Sequence, residues 1–84
     1  MAVNYALLRK LTARDIISAL IRDGFAWDRG SGSHQIYYHP DGRRVSVTFH
    51  APGDTFAPKT LKSMIEKEAH WTEEDLIRLK LLKK

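Results

Sequence analysis

The chain has 84 residues, no cysteine, and 14 Lys and Arg against 10 Asp and Glu, which gives a formal net charge of +4. This length predicts a single domain over residues 1–84, and the lack of cysteine excludes a disulfide framework and a thiolate metal site. The sequence has no apolar run near the roughly 18 residues of a membrane span and no secretory signal pattern, so we expect a soluble cytoplasmic protein without a membrane partner.

The first predicted element is a helix over residues 12–23, preceded by an arm or short helical turn over residues 1–11. Thr12 can cap this helix, and Asp15 at the third helical position completes an approximate capping box. Gly24 offers a left-handed stop. The apolar residues that recur on one helical face are Ile16, Ile17, Leu20 and Ile21.

After this helix the hydrophobic period changes to two, which predicts strands. Phe25 and Trp27 alternate with smaller or polar residues, as in a half-buried strand, and we interpret Trp27 and the later Trp71 as packed residues. The turn Gly30-Ser31-Gly32-Ser33 ends this strand. A second predicted strand covers residues 34–39.

A hairpin leads to the third predicted strand, over residues 44–50. Pro40-Asp41-Gly42-Arg43 contains the Asp-Gly pair that favours tight hairpin turns. One face of this strand carries Val45, Val47 and Phe49, and the other carries Ser46, Thr48 and His50. We therefore expect an antiparallel meander of three strands.

Two helices are predicted at the C-terminal end. Pro58 suits a first helical turn, because its missing N–H is harmless there. The apolar stripe that follows consists of Leu61, Met64, Ile65 and Ala69. Thr72 and Asp75 repeat the capping pattern before a last helix over residues 73–82, whose dipole Lys83-Lys84 can complement. The inward residues of that helix are Leu76, Leu79 and Leu82.

The predicted order is α-β-β-β-α-α, an α+β fold. Its topology is that of the double-stranded-RNA-binding-like folds, with a three-stranded antiparallel sheet and helices on one face. The other face can stay solvated. Because the chain is basic, nucleic acid is a favoured partner, and the uncovered face is a plausible RNA platform.

Two of the four histidines, His34 and His50, fall at the start of the second strand and the end of the third, where antiparallel pairing could bring them together. Metal-free RNA cleavage needs a base for the 2′-hydroxyl proton, an acid for the leaving 5′-oxygen and cations for the phosphorane. His34 suits the base and His50 the acid. A purely structural role is the alternative, and it suffices for His39 in a turn and His70 at a helix junction.

Several other residues could contact RNA. Ser33 and the N–H groups around Gly32 can hold a phosphate. The arginines that could assist are Arg29, Arg43 and Arg44. Tyr37 and Tyr38 point to opposite faces, so one is core and the other, which we take as Tyr38, can stack on a base or pack across strands. The histidine spacing matches no zinc site, and we expect neither metal nor cofactor.

Six segments of the chain form a specific pattern. They are Gly24-Phe25; Gly32-Ser33-His34 with Tyr37; His39-Pro40-Asp41-Gly42-Arg43-Arg44; Val45-Ser46-Val47-Thr48-Phe49-His50; Lys59-Thr60-Leu61-Lys62-Ser63-Met64-Ile65; and Trp71-Thr72-Glu73-Glu74-Asp75-Leu76. In this order and spacing they resemble the HicA (YcfA-like) mRNA interferase family, the toxin half of HicAB toxin–antitoxin pairs. The resemblance covers roughly residues 12–82.

This resemblance implies a function. The histidine of the Gly-Ser-His triplet, here His34, is the catalytic residue in that family, which cleaves mRNA on a fold like a double-stranded-RNA-binding domain. A HicB-type antitoxin that masks the active face is implied as partner, and DNA would be contacted only through it. We add Lys59 and Lys62, in the matching helical segment, to the expected RNA-binding residues.

Two positions depart from the family pattern. Many members have a proline where Thr48 stands and a glycine where Lys59 stands. The first departure could change how the sheet edge presents His50, and the second alters a helix start. We expect neither to touch His34.

Three interpretations follow from the sequence. The leading one is a toxin that acts as a metal-independent endoribonuclease with a histidine base. The second is a non-catalytic module of the same fold that binds RNA or an antitoxin. The third is a protein-interaction module whose positive charge is incidental.

Overall fold

The protein, seen in a computed structural model, is described at Val3 and residues 5–82. The expectations for Lys83 and Lys84, and for the arm at Met1, Ala2 and Asn4, lie outside the described residues. The described chain begins with a 3₁₀ turn, Tyr5–Leu8, and helix α1, Ala13–Arg22. Three strands follow: β1, Ala26–Ser31; β2, His34–Tyr38; and β3, Arg44–Thr48. Helix α2, Pro58–Lys62, continues into a π-helical segment, Ser63–Glu68, and the last element is helix α3, Glu73–Arg78. None of the described helices has the length and apolarity of a membrane span.

Local signals set both ends of α1, as predicted. The Thr12 hydroxyl accepts a hydrogen bond from the Asp15 N–H at 3.3 Å, and the Asp15 carboxylate accepts one from the Thr12 N–H at 2.9 Å. At the other end Gly24 has a φ of 104°, and the Gly24 and Phe25 N–H groups donate to carbonyls of the last helical turn. The capping box and the glycine stop are both confirmed.

The strands form one antiparallel sheet in the order β1-β2-β3, which confirms the predicted α+β fold. The register pairs Tyr37 with Val45 and His34 with Thr48. Tyr37, Val45 and Val47 are buried in a core shared with the helices, while His34 and Thr48 point the other way and are exposed. We call this second surface the open face. Its residues in the register are Ala26, Arg29, Ser31, His34, Ile36, Tyr38, Arg44, Ser46 and Thr48.

Two apolar residues that we assigned to packed positions are exposed instead. Trp27 is 57% exposed, and every residue of its edge strand β1 is exposed as well. Its indole Nε1 donates to Gln35 Oε1 at 2.7 Å across the β1–β2 pair. Ile21 is 58% exposed, because it lies about 100° around α1 from the buried Leu20. The helices cover β2 and β3 and leave β1 bare.

Helix α2 begins at Pro58, as predicted, and its backbone then changes. The Ala69 N–H donates to the Met64 carbonyl at 2.8 Å, five residues back, so the second half of the helix is π-helical and not α-helical throughout. The predicted apolar stripe is nevertheless buried, and it consists of Leu61, Met64, Ile65 and Ala69.

Helix α3 begins as predicted and ends early. The Thr72 and Asp75 capping box is formed at its start. The helix was expected to run to residue 82, but its last residue is Arg78. Lys80 has a φ of 64°, and the Leu81 N–H donates back to the Leu76 carbonyl at 2.8 Å, which closes the helix.

Asp23, the residue after α1, joins three parts of the fold. Its carboxylate accepts hydrogen bonds from Trp71 Nε1 at 2.9 Å and Arg78 Nη2 at 2.8 Å, and Arg43 Nη1 lies 3.2 Å from it. Burial raises the pKa of the Asp23 carboxyl, but the bonds from Trp71 and Arg78 and the charge of Arg43 outweigh burial and hold that pKa below its ordinary value. One carboxylate therefore ties α1 to the β2–β3 hairpin and to α3.

Asp23→Ala should lower the free energy of unfolding by about 1–3 kcal/mol, because it leaves the Trp71 N–H without its acceptor. Since the pKa of Asp23 is lowered in the folded state, its contribution is present above the unfolded pKa of about 3.9 and is lost as the pH falls through the folded value. Urea unfolding at pH 7 and at pH 2.5 checks this, with a smaller difference between variant and wild type expected at the acid pH.

The matched control for this prediction is Asp28→Ala, at an exposed carboxylate 3.8 Å from Arg29. We expect it to change the free energy of unfolding by about 0.5 kcal/mol or less. Equal losses for the two variants at pH 7 would contradict the role given to Asp23.

Candidate functional site

His34 begins β2 and lies on the open face. It follows the two-residue turn Gly32-Ser33 and pairs with Ser31 on one side and Thr48 on the other. The Thr48 hydroxyl oxygen is 3.1 Å from His34 Nδ1. His34 is therefore an exposed imidazole with one ring nitrogen held by a neighbouring strand.

His50 lies just past the end of β3 and is also exposed. The Ser33 hydroxyl oxygen is 3.0 Å from His50 Nδ1. The Asp54 carboxylate accepts the backbone N–H groups of His50 at 2.8 Å and Ala51 at 3.1 Å, and these hydrogen bonds lower the pKa of Asp54. The loop after β3 thus fixes the backbone of His50 at the same end of the sheet as His34.

The glycine turn is shorter than expected. Gly30 and Ser31 belong to β1, so the turn consists of Gly32 and Ser33 alone. Gly32 has a φ of 60°, and a Cβ built on it would meet nothing within 4 Å, so its surface is open. The side chain of Gln35 fills the space beside Gly30. The N–H groups that could form an anion site are accordingly those at Gly32 and Ser33.

Two of the three candidate arginines belong to the open face. The Arg29 side chain is 67% exposed, and Arg44 is exposed opposite Tyr38 in the register. Tyr38 is 42% exposed and Tyr37 is 7% exposed, so the prediction that they face opposite sides is confirmed. Arg29, Tyr38 and Arg44 are available to a ligand on this face.

The prediction that Arg43 contacts RNA is wrong, because its side chain is bound to other parts of the fold. It donates to the Asp41 carboxylate at 2.8 Å and to the Ala69 carbonyl at 2.6 Å, and its guanidinium lies 4.9 Å from the centre of the Phe25 ring. With the Asp23 pair added, only 21% of the side chain is exposed. We therefore remove Arg43 from the candidate RNA-binding residues.

Lys59 and Lys62 are exposed on α2. Lys59 lines a groove between β3 and α2 whose other walls include Ser46 and Thr48. Glu68 also lines this groove, and its carboxylate accepts the Ser46 N–H at 2.8 Å. The groove therefore leads from a lysine to Thr48, the residue that contacts His34.

The remaining histidines, His39 and His70, lie at a turn and at a helix end. His39 Nε2 is 3.0 Å from the Asp23 carbonyl, and its ring packs edge-on against Phe25 at 5.1 Å. His70 is exposed and has a φ of 56° where the π-helical segment ends. Within residues 3 and 5–82 the structure contains no group of three or more His, Asp or Glu side chains placed to hold a metal.

The sequence interpretation missed Thr48. We noted it as a departure from the family pattern that should not touch His34, but its hydroxyl contacts that imidazole. Nothing in the single sequence indicates this contact, because the pairing of residues 34 and 48 depends on the strand register.

A comparison with known protein families gives a match. The family model described as the HicA toxin of bacterial toxin–antitoxin systems matches residues 13–71. The matched region includes α1, the whole sheet and α2, and therefore every candidate residue described above. No curated protein matches the chain.

Arg43→Ala and Arg44→Ala should separate the structural arginine from the surface arginine. Arg43→Ala removes the ion pairs and the carbonyl hydrogen bond and should lower the free energy of unfolding by about 1–3 kcal/mol. Arg44→Ala should change it by about 0.5 kcal/mol or less. Chemical denaturation of the two variants is the measurement, and a larger loss for Arg44→Ala would overturn the assignment.

Proposed function

The chain belongs to the HicA toxin family of bacterial toxin–antitoxin systems, and from this premise we propose that it is a metal-independent endoribonuclease that cleaves mRNA. The observation that carries the proposal is His34, an exposed imidazole on the open face whose Nδ1 is anchored 3.1 Å from Thr48. Its other nitrogen, Nε2, is the atom proposed to react.

In this proposal His34 is the general base. It takes the proton of a ribose 2′-hydroxyl, whose oxygen then attacks the adjacent phosphorus. The P–O5′ bond breaks, and His50 supplies the proton to the leaving oxygen. The products are a 2′,3′-cyclic phosphate and a 5′-hydroxyl end. No metal is required for these steps, because both proton transfers use side chains.

The charge that develops on the phosphorane needs donors nearby. The N–H groups of the Gly32-Ser33 turn and the exposed guanidinium groups of Arg29 and Arg44 supply them in this proposal. The residues proposed to hold the flanking RNA are Tyr38, by stacking on a base, and Lys59 and Lys62, by contacting phosphates.

The proposed partner is a HicB-type antitoxin that covers the open face. The family is one half of a two-component system, which supports an antitoxin partner in general. The open face supports its location, because Tyr38 is 42% exposed there among basic residues. We propose that the free toxin acts on mRNA in the cytoplasm and contacts DNA only through the antitoxin.

The first test is cleavage of RNA in the presence of EDTA. Wild-type protein should cut it, and His34→Gln should cut at least about 100-fold more slowly, because a general base typically contributes that much. His70→Gln is the matched control, since His70 is exposed and lies at the end of the π-helical segment. Cyclic phosphate ends should be found on the wild-type products.

Other outcomes would select a different function. Salt-sensitive RNA binding without products, equal in wild type and His34→Gln, would establish the non-catalytic RNA-binding module. Equal cleavage by both proteins would remove His34 from the mechanism. Tight association with an acidic partner and no affinity for RNA would leave a protein-interaction module.

A second prediction concerns growth. Induced expression of the wild type in a bacterial host should arrest growth, and expression of His34→Gln at the same level should not. Co-expression of a HicB-type reading frame adjoining this gene should restore growth. Arrest by both proteins would mean that toxicity does not depend on cleavage through His34.

A further inference from the structure

Two hydroxyl–imidazole contacts lie side by side where the Gly32-Ser33 turn meets the end of β3. Thr48 Oγ1 is 3.1 Å from His34 Nδ1, and Ser33 Oγ is 3.0 Å from His50 Nδ1. The two pairs interlock, because each histidine is a close chain neighbour of the hydroxyl that holds the other. The Phe49 N–H donates to the Ser33 carbonyl at 3.1 Å and joins the two segments.

In both pairs the hydroxyl contacts the same ring nitrogen of the histidine, Nδ1. A neutral imidazole has one N–H and one lone pair, and the hydrogen bond made by one nitrogen sets which of them the other carries. A hydroxyl can donate or accept, so the distance alone permits both tautomers. The chemistry decides between them: with Nδ1 occupied, only Nε2 is left for the substrate, and a base needs its lone pair there.

We propose that Thr48 and Ser33 are positioning residues that accept the Nδ1–H of His34 and of His50, so that both proton transfers pass through Nε2. This inference rests on the proposed ribonuclease function. For both histidines, a hydroxyl oxygen from the facing segment then fixes the ring orientation and the tautomer.

The arrangement is consistent with the proton balance of the reaction. His34 Nε2 takes the 2′-hydroxyl proton as the O2′–P bond forms. His50 Nε2–H gives its proton to O5′ as the P–O5′ bond breaks. Both Nδ1–H bonds persist throughout, and only the Nε2 atoms change protonation. While Ser33 Oγ accepts from His50, its own hydroxyl proton remains available to a phosphate oxygen.

Thr48→Val tests the first pair, because it removes the hydroxyl and keeps the β-branched shape of this exposed residue. Nitrogen-15 NMR of the ring should find neutral His34 as the Nδ1–H tautomer in the wild type and as the tautomer mixture of free histidine in Thr48→Val. The kcat for RNA cleavage should fall about 10-fold with KM nearly unchanged, the scale expected when the partner that orients a functional histidine is removed.

Two control variants separate the loss of the Thr48 hydroxyl from other effects of substitution. Thr48→Ser retains the Oγ and should restore both the tautomer and kcat. Ser18→Ala removes an exposed hydroxyl from α1, outside the open face, and should leave both unchanged. For the second pair, Ser33→Ala should alter the tautomer of His50 and leave that of His34 as in the wild type, and Ser33→Thr should restore it.

The NMR readout does not depend on cleavage, so failure of this inference can be told from failure of the proposed function. A wild-type protein with the expected tautomers and no cleavage would overturn the function and retain the geometry of the pairs. A wild-type His34 in the Nε2–H tautomer would overturn the positioning role of Thr48. An unchanged tautomer and kcat in Thr48→Val would do the same.

Discussion

The register of β2 against β3 is the constraint on which both the core and the candidate site depend. It sets Tyr37 opposite Val45 and His34 opposite Thr48. Burial of Val45 and Val47 stabilises this register by about 1.5–3 kcal/mol for each side chain. A slip of β3 by one residue would turn its valines to solvent, and an equal slip of β2 would turn His34 into the core. The packing of one face therefore determines which side chains meet on the other.

The Asp23 carboxylate has a second effect. It binds Arg43 within the fold, whereas the neighbouring Arg44 stays at the surface. Arg43 and Arg44 are adjacent, and alternation along the hairpin sends them in opposite directions. Arg43 turns to Asp23, Asp41 and the Phe25 ring, where its charge is neutralised. Arg44 stays exposed on the open face. Arg43 therefore contributes no free positive charge to the open face, whereas Arg29 and Arg44 do, and the exposed Lys59 and Lys62 lie on α2.

Features determined by neighbouring residues could be predicted from the sequence. The capping boxes at Thr12 and Thr72, the stop at Gly24 and the opposite faces of Tyr37 and Tyr38 all depend on contacts or alternation within a few residues. Errors arose where a distant element decides the outcome. Trp27 has the spacing of a core residue, but every residue of β1 is exposed. Arg43 lies in a basic hairpin, but its partner Asp23 directly follows α1. The π-helical turn after Lys62 has no signal in the apolar stripe, because that stripe fits both kinds of helix.

The contact between Thr48 and His34 changes the meaning of the one departure that lies in the sheet. The family resemblance implies a proline at this position in many members, and a proline has no hydroxyl that could contact His34 Nδ1. Threonine adds a hydrogen bond and keeps the β-branched shape that suits a strand. The substitution therefore does not weaken the case for His34 in this chain. It supplies the imidazole with a partner in the adjacent strand, at a position fixed by the same register that buries Val45 and Val47.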